Sequence, residues 1–305
     1  KLEPASAAVS PGEPAKVKVA GRYLYGPPAA GLSIEGETVV RLSSKDVPGF
    51  AGYRFGLADD QVSPVRKTLE GLPQTGDDGR ADVPVDLPAL VKTSRPLEAE
   101  VIVRLRESGG RTIERSIVIP VDLRQPRIGI KPLFTSMQIG DGDTAAFNAV
   151  LLDASGKAVA AKDLKWELLR LDRRWQWYNR DGSWAYETTT HTRRIASGSA
   201  DATADKPAEI AAKVGWGRYR LEVSSPDGAA VSSIEFNAGY WAEEAAESPE
   251  ILDVALDKTA YRVGDTARIK ITSRVAGKAL LAVLGSGRLA TKEGDLPAGG
   301  GEVTM

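Results

Sequence analysis

Cysteine is absent from all 305 residues, which removes disulfides, thiolate chemistry and every thiolate-ligated metal. Histidine is nearly absent too. His191 stands alone, so clusters of imidazole ligands are excluded and one imidazole base is the most the sequence offers. Neither sign of charge is in surplus: 40 Lys and Arg face 41 Asp and Glu, for a formal net charge of −1. A nucleic-acid partner is therefore not expected, because phosphate neutralisation needs an excess of Lys and Arg gathered on one face. Helix signals are scarce as well. Leu87 to Lys92 has room for one turn, and Ala242 to Glu247 is helix-prone but short and stops beside Pro249, which suits a linker better.

What the chain does contain is a repeated opening. Gly12-Glu13-Pro14-Ala15, Gly142-Asp143-Thr144-Ala145 and Gly264-Asp265-Thr266-Ala267 each precede an alternating apolar and polar run, at spacings of 130 and 122 residues. That period, with a new strand start each time, marks tandem β-sandwich modules about the size of one immunoglobulin-like domain. A 42% hydrophobic content over this length is enough for two or three separate cores. Val17 and Val19 alternate with Lys16 and Lys18, and Ala267, Ile269 and Ile271 alternate with Arg268 and Lys270, so each run reads as a strand with one wet face.

The first two modules also close alike. Val101, Val103 and Leu105 lead through Ser108-Gly109-Gly110 to Ile117-Val118-Ile119; Tyr219, Leu221 and Val223 lead through Ser225-Pro226-Asp227-Gly228 to Ile234 and Phe236. Turn clusters lie between, among them Gly26-Pro27-Pro28, Gly76-Asp77-Asp78-Gly79 and Ala154-Ser155-Gly156-Lys157. Near the C-terminus, Leu280 to Leu284 reads as a strand, Gly285-Ser286-Gly287-Arg288 as a turn and Gly294 to Gly301 as a Gly-rich loop. The expected fold is all-β, in modules of residues 1–124, 125–249 and 250–305, the last truncated. Short links at Pro126 and Pro249 imply fixed angles between them. No charged-then-apolar leader begins at Lys1 and the third module stops at Met305, so the chain is expected to be an internal piece of something longer.

Three stretches carry a family resemblance. Tyr240-Trp241 followed by an acidic stretch and Ser248-Pro249-Glu250-Ile251-Leu252-Asp253-Val254-Ala255-Leu256-Asp257-Lys258-Thr259-Ala260-Tyr261 is one. Pro48-Gly49-Phe50 with Tyr53-Arg54-Phe55-Gly56-Leu57-Ala58-Asp59-Asp60 and Pro64-Val65-Arg66-Lys67 is the second, and Gly79-Arg80-Ala81-Asp82-Val83-Pro84-Val85-Asp86-Leu87-Pro88 the third. Together they resemble the interior macroglobulin-like domains of bacterial alpha-2-macroglobulins that lead into the domain hosting the bait region. The resemblance spans all three modules in order and covers only an interior part of such a protein.

It implies a scaffold segment of a broad-spectrum protease-trapping inhibitor, with proteases as partners of the full-length protein. Such proteins use a cleavable bait segment and a thioester built from a Cys and a Gln. The thioester then belongs outside this piece, and the bait within the third module or just past it. The resemblance further implies a periplasmic lipoprotein tethered to the inner membrane by an anchor outside this piece, beside a cell-wall-synthesising penicillin-binding protein. No enzyme activity, catalytic residue, cofactor or metal is expected. Without the resemblance, an immunoglobulin-like adhesion or binding array, or an accessory region of a polysaccharide-active or transport machine, would fit the same modules.

Candidate sites are few. Trp175, Trp177, Tyr178, Trp184 and Tyr186 flank Asn179-Arg180-Asp181-Gly182, which reads as the tip of a long hairpin protruding from residues 160–200. These rings either cover the sandwich end or a neighbouring module, grip a partner protein, or stack on a sugar. Arg173, Arg174, Arg180, Arg193 and Arg194 flank them and suit stacking, an acidic neighbour or a solvated edge. His191 sits in a β-branched run with no nucleophile or orienting acid beside it, and reads as a surface residue. The pairs Asp59-Asp60, Asp77-Asp78 and Asp141-Gly142-Asp143 raise calcium as a thought, but lack EF-hand spacing and suit turns better.

Overall fold

The computed structural model describes residues 1–90, 92–107, 109–180, 183–239, 253–258, 260–273, 276–284, 288–297 and 300–305; within these, the side chains at 173–180, 183–188, 253, 255, 272, 288 and 289 lie outside the description. Every regular element among them is a strand, so no helix there is long and apolar enough to cross a membrane. Leu87 to Leu90 is extended loop rather than a helical turn, with Leu87 and Leu90 packing on the first core. Apolar contact to a finished sheet outweighs local propensity there. Gly294 is likewise not in a loop. It sits inside the strand Arg288–Leu296, paired with Ala279.

The three repeated glycines explain why the modules begin alike. Gly12, Gly142 and Gly264 all adopt positive φ, at 76°, 82° and 97°, and a Cβ on any of them would meet nothing within 4 Å. Left-handed backbone, not space, is what demands glycine at these turns. The residue that follows closes the same short bond each time, Glu13 to Ser10, Asp143 to Gly140 and Asp265 to Arg262. From each turn a strand leaves between the strand before it and a later one. Ala15–Ala20 lies between Leu2–Pro4 and Arg80–Val85, Thr144–Leu152 between Arg127–Pro132 and Ala208–Lys213, and Arg268–Thr272 between Asp253–Leu256 and Gly301–Thr304.

In the first module that three-stranded sheet faces a second of order Val65–Leu69, Ser33–Leu42, Leu97–Arg106 and Thr112–Val121. Val17 and Val83 from one face meet Ala99, Val101 and Ile119 from the other, all 0% or 1% exposed. The second module opposes its first sheet with one of order Gln138–Ile139, Val231–Ala238, Gly217–Ser224, Ala161–Arg180 and Ser183–Ala202. Its core is aromatic: Phe134, Phe147 and Phe236 stand with ring centroids 5.3 Å apart in each pairing. The third unit is smaller, its core centred on Ile269, Ile271 and Leu296. The architecture is all-β, a row of immunoglobulin-like sandwiches.

The hairpin foreseen around residues 160–200 is the longest element. Ala161–Arg180 and Ser183–Ala202 run 20 residues each, yet the neighbouring strand Gly217–Ser224 reaches only the Lys165–Leu171 part of the hairpin. Past Leu171 the two strands continue as a ribbon of their own. At its root Trp166 lies across the strand opposite Gly198, where a Cβ would come within 2.9 Å of the indole ring.

Candidate functional site

The chemistry that organises this chain lies where modules meet. Residues 44–60 follow the Ser33–Leu42 strand of the first module but dock on the second: Arg54–Phe55 pairs with Arg127–Pro132, and Phe55 packs with Val150 and Leu152. Gly129 makes room for it, since a Cβ there would fall 2.7 Å from the Phe55 ring. Phe50 meets Phe55 and Tyr53 edge-on, at 6.2 and 5.9 Å between centroids. Burial pushes the Tyr53 phenol up from its usual range.

Beyond Phe55 the chain is tied by hydroxyls and charge. Gly56 donates its N–H to Ser232 Oγ at 2.7 Å, Ala58 donates to Ser233 Oγ at 2.8 Å, and Ser233 N–H returns to the Gly56 carbonyl at 3.1 Å. Gly56 has φ 81° and sits against Arg95, whose backbone nitrogen a Cβ would approach to 2.6 Å. Only glycine fits that conformation in that space. The two adjacent carboxylates then part. Asp59 reaches out to Arg220 Nη1 at 2.7 Å, while Asp60 Oδ2 turns inward to accept from Thr93 Oγ1, Ser94 N–H and Ser94 Oγ at 2.8 to 2.9 Å. Burial raises the Asp60 carboxyl, but those donors outweigh it and hold it below the usual range.

Arg220 is the hub. It is mostly buried, it bonds Glu235 through Nε and Nη2 as well as Asp59 through Nη1, and Arg218 holds the other Glu235 oxygen. Partial burial raises Glu235, yet the hydrogen bonds from Arg220 and Arg218 win and its carboxyl sits below the ordinary value.

A second contact joins the next pair of modules. Lys270 of the third unit places Nζ 3.8 Å from the centroid of the Trp216 ring, a close cation–π geometry. Gly239 backs that ring, where a Cβ would come 2.5 Å from Trp216 Cδ1. Burial holds the Lys270 ammonium below its usual range despite Asp141 and Glu302 nearby.

The residues singled out from sequence fare differently. Trp175 lies opposite Thr188, Trp177 opposite Tyr186, Tyr178 opposite Ala185 and Trp184 opposite Asn179 in the ribbon's register; their side chains lie outside the described residues. Residues 240–252, with Ala242 to Glu247 among them, lie outside too, as do 285–287 of the Gly285-Ser286-Gly287-Arg288 turn. His191 is exposed, opposite Asp172. Asp78 caps its turn by accepting the Arg80 N–H. Among the described residues no three His, Cys, Asp or Glu side chains converge as a metal site. Sequence reasoning missed Ser232, Ser233, Arg220, Trp216 and Lys270. Two signals were there to read: paired serines between Val231 and Ile234, which break the strand's alternation, and a tryptophan between two glycines, Gly215-Trp216-Gly217.

Residues 1–122 match the bacterial alpha-2-macroglobulin MG5 domain, and residues 129–240 match bacterial macroglobulin domain 6. The alpha-2-macroglobulin of Escherichia coli K12 is 32% identical over 320 aligned positions, covering 97% of this chain and 19% of the relative. The chain belongs to the bacterial alpha-2-macroglobulins. The alpha-2-macroglobulin of Xylella fastidiosa 9a5c is 33% identical over 267 positions, covering 86% of the chain and 16% of that relative. This chain thus spans about a fifth of the length of the alpha-2-macroglobulins it matches.

Solved structures agree over the whole chain. The native E. coli alpha-2-macroglobulin superposes with a TM-score of 0.64 at 28% identity, covering 100% of this chain and 20% of the other. Salmonella alpha-2-macroglobulin reacted with methylamine gives the same four values. The trypsin-activated E. coli protein gives a TM-score of 0.53 at 28% identity, covering 100% and 21%. The Phe55 to Asp59 tie runs from the stretch matched by the MG5 domain into that matched by domain 6.

Proposed function

We propose that this chain is a frame segment of a protease-trapping inhibitor. The two family-matched modules hold geometry, while the bait segment and the Cys–Gln thioester belong to parts of the full-length protein outside these residues. Proteases are its partners, consistent with E. coli alpha-2-macroglobulin having been solved after activation by trypsin and by porcine elastase. The chain contributes no catalysis of its own. In this reading the full-length protein is a lipoprotein tethered to the inner membrane, facing the periplasm beside a cell-wall-synthesising penicillin-binding protein. The domain limits stay at residues 124 and 249.

The observation that carries the reading is the tie between modules. Asp59, Arg220 and Glu235 are engaged with one another and Ser232 and Ser233 with backbone, which fixes an angle between sandwiches and leaves these groups to structure rather than chemistry. Paired backbone also resists proteases, which favours cleavage in a segment outside the sandwiches. The test is to mix the full-length protein with trypsin and with elastase, map cuts by mass spectrometry over time, and follow shape by small-angle scattering. One early cut outside residues 1–250 followed by compaction is expected. First cuts scattered through residues 1–250, or cleavage without a change of shape, would overturn the reading.

A further inference from the structure

The strand Ser183–Ala202 is the last in its sheet, paired with Ala161–Arg180 on one side and with no described strand on the other. Natural sheets blunt such edges with short length, proline, charge, bulges or cover, because a free row of N–H and C=O groups templates another strand. Here Arg193 and Arg194 bring charge, and the register skips Ile195, which closes the regular stretch at Arg194. This edge is 20 residues long and carries no proline, whereas the comparable edge strand Thr112–Val121 is 10 residues long and contains Pro120. Thr189 to Ile195 are all exposed, on both faces of the ribbon, yet they keep extended geometry. Their β-branched content, Thr189, Thr190, Thr192 and Ile195, explains that persistence.

Charge says what fits there. Between residues 170 and 194 the sequence has six arginines against three carboxylates, Asp172, Asp181 and Glu187, in a chain whose overall charge is −1. Arg170 is paired with Asp172 at 3.0 Å and Arg194 with Glu167 at 2.7 Å. Arg193 is exposed on the edge strand and in none of the ion pairs of the described residues. A second copy of the ribbon would set like charges against each other. A nucleic acid would use the charge but not the backbone groups.

The geometry points to the outer edge of Thr189–Arg194, the regular stretch before the register shift at Ile195, as a strand-addition site for an extended acidic polypeptide. Main-chain bonds to the edge give the affinity and carboxylates facing Arg193 give the selectivity, the mode of recognition in which a peptide becomes one more strand. Because successive residues of the added strand point their N–H groups alternately toward and away from the edge, blocking one alternate set abolishes pairing and blocking the other spares it.

The experiment titrates the full-length protein with a fluorescein-labelled peptide of alternating Thr and Glu, nine residues long (~30 Å when extended). Companions are its two twins N-methylated at one or the other alternate set, a Thr–Lys peptide and a dT15 oligonucleotide. Binding by anisotropy is read beside hydrogen exchange at residues 189–194. Expected is saturable binding of the Thr–Glu peptide, slowed exchange there, at least tenfold weaker binding of one methylated twin only, none of the Thr–Lys peptide, and severalfold weakening in Arg193→Glu. The peptides leave the protein unaltered, so the result does not depend on a variant folding. Equal binding of both twins, unchanged exchange at 189–194, no binding of the Thr–Glu peptide, or displacement of it by dT15 at lower concentration would each overturn the proposal.

Discussion

The Ser232 hydroxyl accepts the N–H of Gly56 across 176 residues of sequence and donates its own proton to the Ile128 carbonyl. One buried oxygen thereby satisfies a donor from the first module and an acceptor from the second. Ser232→Ala leaves both backbone groups buried without that partner, a loss of about 1–3 kcal/mol. Urea unfolding of the chain at neutral pH measures it. Ser233→Ala should cost less, because the Ser233 N–H still bonds the Gly56 carbonyl and Ala58 lies nearer solvent. A Ser232→Ala chain within about 0.5 kcal/mol of the parent would mean that the joint is held by Phe55, Ser233 and the Asp59–Arg220 pair without the Ser232 hydroxyl.

The periodic parts of this structure were legible in the sequence, and the joints were not. Val17, Val19, Ile269 and Ile271 announce strands because alternation is a local consequence of the pleat, and Gly12, Gly142 and Gly264 announce turns because left-handed backbone favours one residue type. Phe55 shows only that it wants burial. That it fills a pocket beside Val150 and Leu152, in the following module, depends on topology that no local pattern encodes. Asp59 and Asp60 looked like one turn feature, yet they serve opposite modules. The aromatic hairpin was legible as two paired strands because strand propensity persists over their length, while Asp181 and Gly182 of the expected tip lie outside the described residues.

The repeat glycines predict a uniform response. Gly12→Ala, Gly142→Ala and Gly264→Ala each force a Cβ into left-handed backbone with open space around it, so the cost is conformational, about 1–2 kcal/mol apiece. Asn, which tolerates that region better, should cost less than Ala at all three positions, a ranking thermal unfolding can check. Equal losses for Asn and Ala would show that something other than φ is being disturbed.

Lys270 and Trp216 make the contact between the second and third units measurable. With Nζ 3.8 Å from the ring centroid, the ε-methylene protons of Lys270 should resonate upfield through the ring current, and Trp216→Leu should remove that shift. Lys270→Ala should lower the stability of the third unit by about 0.5–2 kcal/mol, the range for exposed to desolvated cation–π pairs. Gly239→Ala should perturb the same resonances without touching Lys270, since its Cβ would displace the indole. An unshifted Lys270 methylene in the parent chain would remove the basis of this pairing.

Acid should weaken the second module where it borders the first joint. The Glu235 carboxyl is held below its ordinary value by Arg220 and Arg218 despite burial, so the folded state binds that proton less readily than the unfolded chain, whose Glu titrates near about 4.3. A depressed folded value means the stabilisation is complete above that pH and drains away as pH falls through it toward the folded value. Urea midpoints measured from pH 7 down to pH 3 should therefore drop over the lower part of that range. In Arg220→Met the drop should shrink, because Glu235 loses its main partner while burial still opposes its charge; neutral-pH stability should itself fall by about 2 kcal/mol, less than for a fully buried pair because Arg220 and Glu235 keep 16% and 22% exposure. Glu235→Gln in the Arg220→Met background should then cost little more, and the cycle of four chains isolates the coupling. An Arg220→Met chain that keeps the parent's full acid sensitivity would place the responsible carboxylate elsewhere, with Asp60, also held low by its donors in the first module, as the group to replace next.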